Sequence, residues 1–304
     1  MKEPLTLIGI DVGGTKIAAG TLTWPAGVRS GARVIPTLAH RGGRAVLDDV
    51  LGLTRALATE TAQAGRRVAA IGIGICELVD REGRLASDNC IRWRDLPVLG
   101  ELGGIAPVVL EADVRAAALA ESRFGAGEGR DPFLYVTVGT GISCCLVNGG
   151  RPFLGAHGAT GTMASSPVDA ECPACGHVDR RTLEEIASGP ALVARYVAAG
   201  GTATRGHEVV AAAHSGDLRA VEVIRTAATA LGVQVGLLVN VLDPAAVIVG
   251  GGLGLSEGPY WEKLVPAIRR GIWAEQYRGL PILRASVGTD ACWVGAALAA
   301  VPRA

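Results

Sequence analysis

The feature that most constrains the fold is a run of apolar residues that ends in a glycine turn, because this pattern occurs three times along the chain. It covers residues 5–13 (LTLIGIDVG), 133–139 (FLYVTVG) and 245–254 (AAVIVGGGLG). Short apolar runs closed by glycine predict buried strands. Residues 44–64 carry apolar side chains at helical spacing, and residues 220–242 also predict a helix. Strands that alternate with helices indicate an α/β fold with largely buried sheets, and the recurrence suggests two related halves.

Length and charge narrow the class of protein. A chain of 304 residues is about twice the size of a typical domain, which favours two domains. The 29 basic residues balance the 29 acidic ones, which argues against nucleic acid or an anionic membrane surface as a partner. The N-terminal apolar run is too short for a signal peptide, and no stretch reaches the roughly 18 apolar residues of a membrane span. Seven cysteines without an export signal predict reduced thiols in a cytoplasmic protein.

The first glycine turn, Gly13 and Gly14 followed by Thr15 and Lys16, has the residue types of an anion-binding loop. Glycines allow backbone N–H groups to approach a phosphate without side-chain obstruction, and Thr15 offers a hydroxyl. Asp11 at the end of the strand is able to hold a hydrated Mg²⁺. The alternative is an ordinary hairpin turn with a capping aspartate. The sequence matches neither a Walker P-loop nor the spaced glycines of a dinucleotide-binding fold.

Two further glycine turns have the same physical basis. Gly139, Thr140 and Gly141 lie between two predicted strands and form either a second phosphate-binding turn or a tight hairpin. Three consecutive glycines after the strand at 245–249 permit a flat group such as an adenosine to come close, although such glycines also serve the close packing of helix and strand. These three residues are Gly250, Gly251 and Gly252.

An acidic pair, Glu111 and Asp113, ends the predicted strand at 107–113 and precedes a predicted helix at 114–125. A carboxylate in this place is able to accept a proton from a substrate hydroxyl that attacks a phosphorus atom. The alternative role for Asp113 is to cap the N-terminus of the helix.

Taken together and in this order, the four motifs resemble the repressor/ORF/kinase (ROK) family of bacterial sugar kinases, which includes many glucokinases. DVGGTK looks like the first phosphate motif of that family and VTVGTGIS like its second. VLEADVRAAALAE is similar to its VxxENDANAAALGE segment, and VIVGGGLG resembles its adenosine loop. The resemblance covers nearly the whole chain.

The resemblance implies two ribonuclease H-like α/β domains of the actin/hexokinase superfamily, with the active site in the cleft between them. The expected small domain is residues 1–112 plus a C-terminal helix at 289–304, and the expected large domain is residues 113–288. Asp11 would face Mg²⁺, and residues 139–141 would face the phosphates of ATP. Asp113 would deprotonate the primary hydroxyl of a sugar. Because family members are often dimers, the resemblance also implies a homodimer.

The chain departs from the family pattern around the substrate. Ala112 stands where the family has an asparagine that grips sugar hydroxyls. Thr162 and Ser165 stand where the family has a sugar-binding glutamate and a histidine. The substrate-side residues that match the family are Asn89, Glu111 and Glu184.

The structural zinc of the family is also in question. Its four ligand positions read here Ser165, Cys175, His177 and Thr182, so only two nitrogen or sulfur ligands are in register. Cys172 would supply a third, but a tetrahedral structural site needs four. The alternative is a loop held by packing and hydrogen bonds.

One departure suggests a substrate. Glu77 replaces a glycine of the family's GIGIPGPVD loop, and we hypothesise that it pairs with the ammonium group of an amino sugar. The alternative is a solvent-exposed loop glutamate. Kanosamine (3-amino-3-deoxyglucose), phosphorylated at O6 in antibiotic biosynthesis, fits best, and the excess of arginine over lysine suits a GC-rich source. The rival activities are those of a C7-cyclitol kinase and of a glucokinase of the same family.

Two other classes are weighed against the kinase. A ROK-type repressor needs a helix-turn-helix domain ahead of the first phosphate strand, which begins here at Leu5, so no nucleic-acid partner is expected. A catalytically silent sugar sensor would not have to bind Mg·ATP. The retention of Asp113 and all three glycine turns favours a live kinase with an altered substrate over a dead one.

Overall fold

The structure is a computed structural model, and it describes residues 3–171 and 178–302. These residues form two compact units, each built around a β-sheet. Unit 1 comprises the described residues up to Gly129, the segment Gly150–Thr160 and the described residues from Thr289 onward. Unit 2 comprises Arg130–Gly149 and the described residues of Gly161–Gly288.

The sheet of unit 1 has five strands in the order β3-β2-β1-β4-β5. They are β1 (Leu5–Val12), β2 (Lys16–Trp24), β3 (Val28–Pro36), β4 (Val68–Ile75) and β5 (Val108–Ala112). The first three are antiparallel neighbours, because short turns join them, whereas β4 and β5 run parallel to β1 after crossover connections. The helices of this unit are α1 (Gly43–Gln63), α2 (Val98–Gly103), α3 (Asp113–Phe124) and the C-terminal α9 (Ala291–Ala299).

The C-terminal helix α9 packs directly on the sheet of unit 1. A Cβ atom at Gly72 in β4 would overlap the carbonyl oxygen of Ala296, so glycine is required where the helix crosses the strand. On its other side α9 meets α3, where a Cβ at Gly295 would overlap the backbone of Ala116. Helix α3 is therefore part of unit 1. The predicted boundary between residues 112 and 113 is corrected to one that follows Gly129.

Unit 2 repeats the connectivity of unit 1. Its own strands run in the order β12-β11-β6-β7, with β6 and β7 antiparallel and β11 and β12 parallel to β6. They are β6 (Phe133–Val138), β7 (Ile142–Asn148), β11 (Ala246–Gly250) and β12 (Ile282–Arg284). In both units a hairpin comes first and parallel strands follow. This is the connectivity expected of two related ribonuclease H-like halves, and the prediction of a two-domain α/β fold is confirmed.

The remaining elements complete unit 2, apart from the two-residue strand β8 (Arg151–Pro152), which lies in the Gly150–Thr160 segment of unit 1. A hairpin consists of β9 (Pro167–Glu171) and β10 (Val178–Thr182). The helices are α4 (Leu183–Ala187), α5 (Gly189–Ala198), α6 (Gly206–His214), α7 (Leu218–Leu242) and α8 (Pro259–Gly271).

Helix α7 is the one described helix that is long and apolar enough, by length and composition, to cross a membrane. The uninterrupted apolar run of a membrane span is absent from it, because Arg219, Glu222 and Arg225 lie in its first turns. Its buried side, which includes Leu231 and Val235, lies in the hydrophobic core of unit 2. We therefore interpret α7 as the central core helix of that unit.

Candidate active site

Asp113, the predicted catalytic base, and Asp11, the predicted Mg²⁺ ligand, lie at one edge of the sheet of unit 1. β1, β4 and β5 run parallel, so their carboxyl ends meet at the same edge, which is where ligands bind in open α/β sheets. Asp11 is near the end of β1 and pairs in register with Gly74, which pairs in turn with Glu111. Asp113 follows β5 directly, as the first residue of α3. The topology thus brings together residues that are about 100 positions apart.

Asp113 has the electrostatic properties of a general base. Burial of its carboxyl raises the pKa to about 7, and the negative charge of Asp11 adds to the shift. The backbone N–H of Val114 donates to Oδ1 at 2.6 Å and acts in the opposite direction. Catalysis by a base is most effective when its pKa is close to the working pH. The helix-capping alternative is not observed, because Ala112 is the N-cap residue of α3 and the cap has no side-chain hydrogen bond.

Asp11 is the second acidic group of this edge. Burial raises its pKa, against a hydrogen bond from the thiol of Cys292 and the charge of Lys16, which lower it. Mg²⁺ in kinases is commonly held by one or two carboxylates together with waters and substrate phosphates. Asp11 fits that description as a single carboxylate ligand. Among the described residues no group of three His, Cys, Asp or Glu side chains is arranged to hold a metal ion without such help.

The turn between β1 and β2 is held in place by Thr37, which was not among the predicted site residues. The backbone N–H of Gly13 donates to the carbonyl of Lys16 at 3.0 Å, which closes the turn. Thr37, which is fully buried, donates its hydroxyl to the carbonyl of Gly13 at 2.6 Å and its N–H to the carbonyl of Thr15 at 3.1 Å. The side chain of Thr15 is exposed. This geometry suits a preorganised phosphate-binding turn.

The corresponding turn of unit 2 joins β6 and β7. Gly139 donates its N–H to the carbonyl of Gly141 at 2.9 Å, and both Thr140 and Gly141 are exposed. Glu184, at the start of α4, accepts from the N–H of Ile142 at 3.0 Å. A Cβ at Gly141 would lie only 2.9 Å from the same carboxylate oxygen, so glycine is needed for this contact. Glu184, which was predicted to bind substrate, therefore lies against the glycine turn.

The three glycines after β11 have different roles. A Cβ at Gly250 would overlap the hydroxyl of Tyr135, and one at Gly251 would overlap the backbone of Val138. Gly251 also has a φ of 80°, which strongly favours glycine. Close packing against β6 thus accounts for these two. Gly252 is exposed, and a Cβ there would meet nothing within 4 Å, so it is the member of the set that is open to a ligand.

Glu111 is held by Arg115, another residue that the sequence analysis did not single out. Arg115 is 2% exposed and donates from Nε to the carboxylate of Glu111 at 2.5 Å. Its two terminal nitrogens donate to the carbonyls of Gly158 at 2.9 Å and Val79 at 2.8 Å. A buried guanidinium needs such partners. Arg115 therefore ties three segments of unit 1 together beside Asp113.

Glu77 has a role that differs from the hypothesis. Its side chain is 5% exposed, and its carboxylate accepts hydrogen bonds from the hydroxyl of Ser87 and from the backbone N–H groups of Asn89, Cys90 and Ile91. A carboxylate offers about four lone-pair sites, so the four donors occupy them all. The proposed pairing with a substrate ammonium group is corrected on this ground, and the exposed-loop alternative is also wrong.

The other substrate-side predictions are residues at the surface of their units. The side chain of Asn89 is exposed in unit 1. In unit 2 Thr162 is exposed, and Ser165 donates its hydroxyl to the carbonyl of Thr162 at 3.0 Å. Thr182, at a ligand position of the family's zinc site, caps the N-terminus of α4. The three candidate zinc ligands Cys172, Cys175 and His177 lie outside the described residues.

Comparison of the sequence with known proteins identifies the family to which the chain is related. The profile of the ROK family matches residues 7–302. A glucokinase of Streptomyces coelicolor is 30% identical over 95% of this chain and 96% of its own length. An N-acetylmannosamine kinase of Citrobacter koseri is 32% identical over 84% of this chain and 86% of its own.

A solved structure agrees with these relatives. The ROK family glucokinase of Streptomyces griseus, in complex with glucose and AMPPNP, superimposes with a TM-score of 0.81 at 29% identity. The match covers 97% of this chain and 99% of that one. The protein described here belongs to the ROK family.

Proposed function

We propose that this sugar kinase transfers the γ-phosphate of ATP to a hydroxyl of a hexose-like substrate, with Asp113 as the general base. The observation that carries the proposal is the partly buried carboxylate of Asp113, with its pKa near 7, beside Asp11. Support comes from relatives named glucokinase and N-acetylmannosamine kinase, and from the similar glucokinase that was solved with glucose and AMPPNP.

The residues of this chain supply the following steps. Asp113 accepts the proton of the substrate hydroxyl as its oxygen bonds to the γ-phosphorus, and the bond from that phosphorus to ADP breaks. Backbone N–H groups of the turns at Gly13–Gly14 and at Gly139–Gly141 stabilise charge on the phosphoryl oxygens. Mg²⁺, when bound with Asp11 as a ligand, would neutralise charge on the transferred group and on the leaving ADP.

Our finer proposal is an amino sugar such as kanosamine, phosphorylated at its primary 6-hydroxyl in a biosynthetic pathway. Its support is that Ala112, Thr162 and Ser165 replace three hydroxyl-binding side chains of the family. Glu77 does not support it. Glucose and a C7-cyclitol remain the rival substrates. A cytoplasmic location is part of the proposal, and the five described cysteines, all free thiols, support it.

The test is ADP release from Mg·ATP with glucose, glucosamine, N-acetylmannosamine, kanosamine, fructose and a C7-cyclitol in parallel. We expect turnover of at least one compound and at least a hundredfold less with Asp113→Asn. Turnover of kanosamine without turnover of glucose supports the finer proposal, and the reverse contradicts it. If no compound reacts and calorimetry shows no binding of Mg·ATP, the kinase proposal is wrong. Binding of Mg·ATP without turnover points to a substrate outside the panel.

A further inference from the structure

Glu77 is a buried acidic residue that the proposed mechanism does not use. It lies just beyond the C-terminal end of β4, close to Asp11 and Asp113, and it is one of the few charged side chains in the described part of the chain that are almost fully buried. Among the described residues no salt bridge joins it to a basic side chain. Its hydrogen-bond partners all come from residues 87–91, ten to fourteen positions further along the chain. We call this segment the 87–91 loop.

The contacts show that the carboxylate organises the loop. Oε2 accepts from the N–H of Asn89 at 3.0 Å and from the hydroxyl of Ser87, and Oε1 accepts from the N–H groups of Cys90 at 2.5 Å and Ile91 at 3.0 Å. Three successive N–H groups that converge on one anion form a nest. Hydrogen bonds to a charged acceptor are stronger than those to a neutral one. Because these donors hold the pKa of Glu77 below its ordinary value, the anion persists at neutral pH.

The 87–91 loop in turn faces the groups that carry the chemistry. The thiol of Cys90 is hydrogen-bonded to the thiol of Cys76, and Cys76 directly precedes Glu77. A Cβ at Gly14 would lie 2.9 Å from Sγ of Cys90, so the loop rests against the phosphate-binding turn of unit 1. Asn89, a predicted substrate contact, is the exposed residue next to these contacts. A change in the loop therefore alters one wall of the space around Asp113.

We infer that Glu77 is a positioning residue, whose carboxylate holds the 87–91 loop, and with it the exposed Asn89, in place and thereby sets the affinity for the phosphate acceptor. The inference rests on the proposed kinase function for its kinetic consequence. Its structural part, the anchoring of the loop, stands on the four contacts alone.

The experiment compares Glu77→Gln with the matched control Glu82→Gln, which neutralises an exposed glutamate five positions away. Hydrogen–deuterium exchange of the peptide that contains residues 87–91 reports on the loop without any need for activity. We expect the amides of residues 89–91 to exchange at least tenfold faster in Glu77→Gln than in the wild type. The NH₂ group of the glutamine side chain is a donor and cannot accept hydrogen bonds from the backbone N–H groups of the loop. Ser87→Ala, which keeps the anion and removes one donor, should give a smaller change in the same direction.

Steady-state kinetics with the best sugar of the panel supplies the second readout. We expect the KM for the sugar to rise about tenfold in Glu77→Gln and the KM for ATP to stay within about twofold. Unchanged exchange at residues 89–91 overturns the inference. So does faster exchange with both KM values unchanged or equally raised, because the role is then structural only. If the wild type neither phosphorylates a compound of the panel nor binds Mg·ATP, and the loop still loosens in Glu77→Gln, the kinase function is wrong and the anchoring role is supported.

Discussion

At the scale of single residues, the chemistry depends on how burial changes ordinary side chains. Asp113 is a carboxyl whose burial and whose neighbour Asp11 move its pKa to about 7, and Glu77 is a carboxyl whose donors move its pKa the other way. The two lie in the same unit. At Asp113 burial and the charge of Asp11 outweigh the hydrogen bond, whereas at Glu77 the hydrogen bonds together outweigh burial. Asp113 has one described donor, whereas Glu77 has four.

Asp113→Asn is the first prediction at this scale. We expect kcat to fall by about 10²–10⁴-fold, because general-base catalysis contributes about this much, and the acidic limb of the pH profile, near pH 7 in the wild type, to disappear. A pH series of kcat/KM measures both. Asp95→Asn, at an exposed aspartate, is the control and should leave the profile unchanged. A loss below tenfold would show that another group accepts the proton.

The same variant has an expected effect on stability. A carboxyl with a raised pKa binds its proton more tightly in the folded state, so the wild type loses stability as the pH rises from about 4 to about 7. Asparagine cannot ionise and removes this loss. The melting temperature of Asp113→Asn should therefore exceed that of the wild type at pH 8, and the difference should vanish near pH 4.

Cys90 should be the most reactive of the described cysteines. A hydrogen bond from the thiol of Cys76 lowers the pKa of Cys90 to about 7, whereas burial raises that of Cys144 to about 11. The thiolate is the nucleophile, and Cys90 is partly exposed. At pH 7.5, iodoacetamide should therefore alkylate Cys90 well before Cys144, as measured by peptide mass spectrometry. Equal alkylation rates at the two cysteines would contradict the prediction that Cys90 is the more reactive.

At the scale of elements, strands and helices with a regular burial pattern are predicted well. The predicted strands at 5–13 and 133–139 are observed as β1 (Leu5–Val12) and β6 (Phe133–Val138), and the helix at 44–64 is α1 (Gly43–Gln63). The strand β3 and the helix α8 are missed. β3 is an exposed edge strand without a buried run, and α8 contains an internal proline at position 266. β3 therefore lacks the local signal on which the prediction depends. In α8 the signal is present, because Tyr260, Leu264, Ala267 and Ile268 are buried at helical spacing, and the proline argues against a helix there.

Packing of α9 on the sheet gives a prediction at the element scale. Gly72→Ala places a methyl group where the carbonyl of Ala296 lies, so β4 and α9 must separate. We expect a loss of about 1–3 kcal/mol in the free energy of unfolding, as in other overpacked cores. The control is Gly52→Ala in α1, where a Cβ meets nothing within 4 Å. That change should be neutral or stabilise by up to about 1 kcal/mol, because alanine favours helix. Urea unfolding measures both, and equal effects would refute the packing argument.

At the scale of the whole molecule, the repetition of one topology explains the order of the motifs. In each unit the first hairpin contains a glycine turn, and the parallel strands follow after helical connections. The recurrence of strand and turn near residues 11 and 140 therefore reflects two copies of one architecture. The C-terminal helix α9 belongs to unit 1 although it follows unit 2 in the chain.

The sequence by itself determined the α/β class and most element positions, and it predicted Asp113 as the general base, because these inferences depend on local periodicity and on motifs a few residues long. Only the tertiary structure decided the roles of Glu77, Arg115 and Thr37. Each depends on donors or acceptors that come from distant positions, such as the N–H groups of residues 89–91 for Glu77. Long-range hydrogen bonds leave no periodic trace in a single sequence, so a buried anchor and an exposed loop glutamate look the same there.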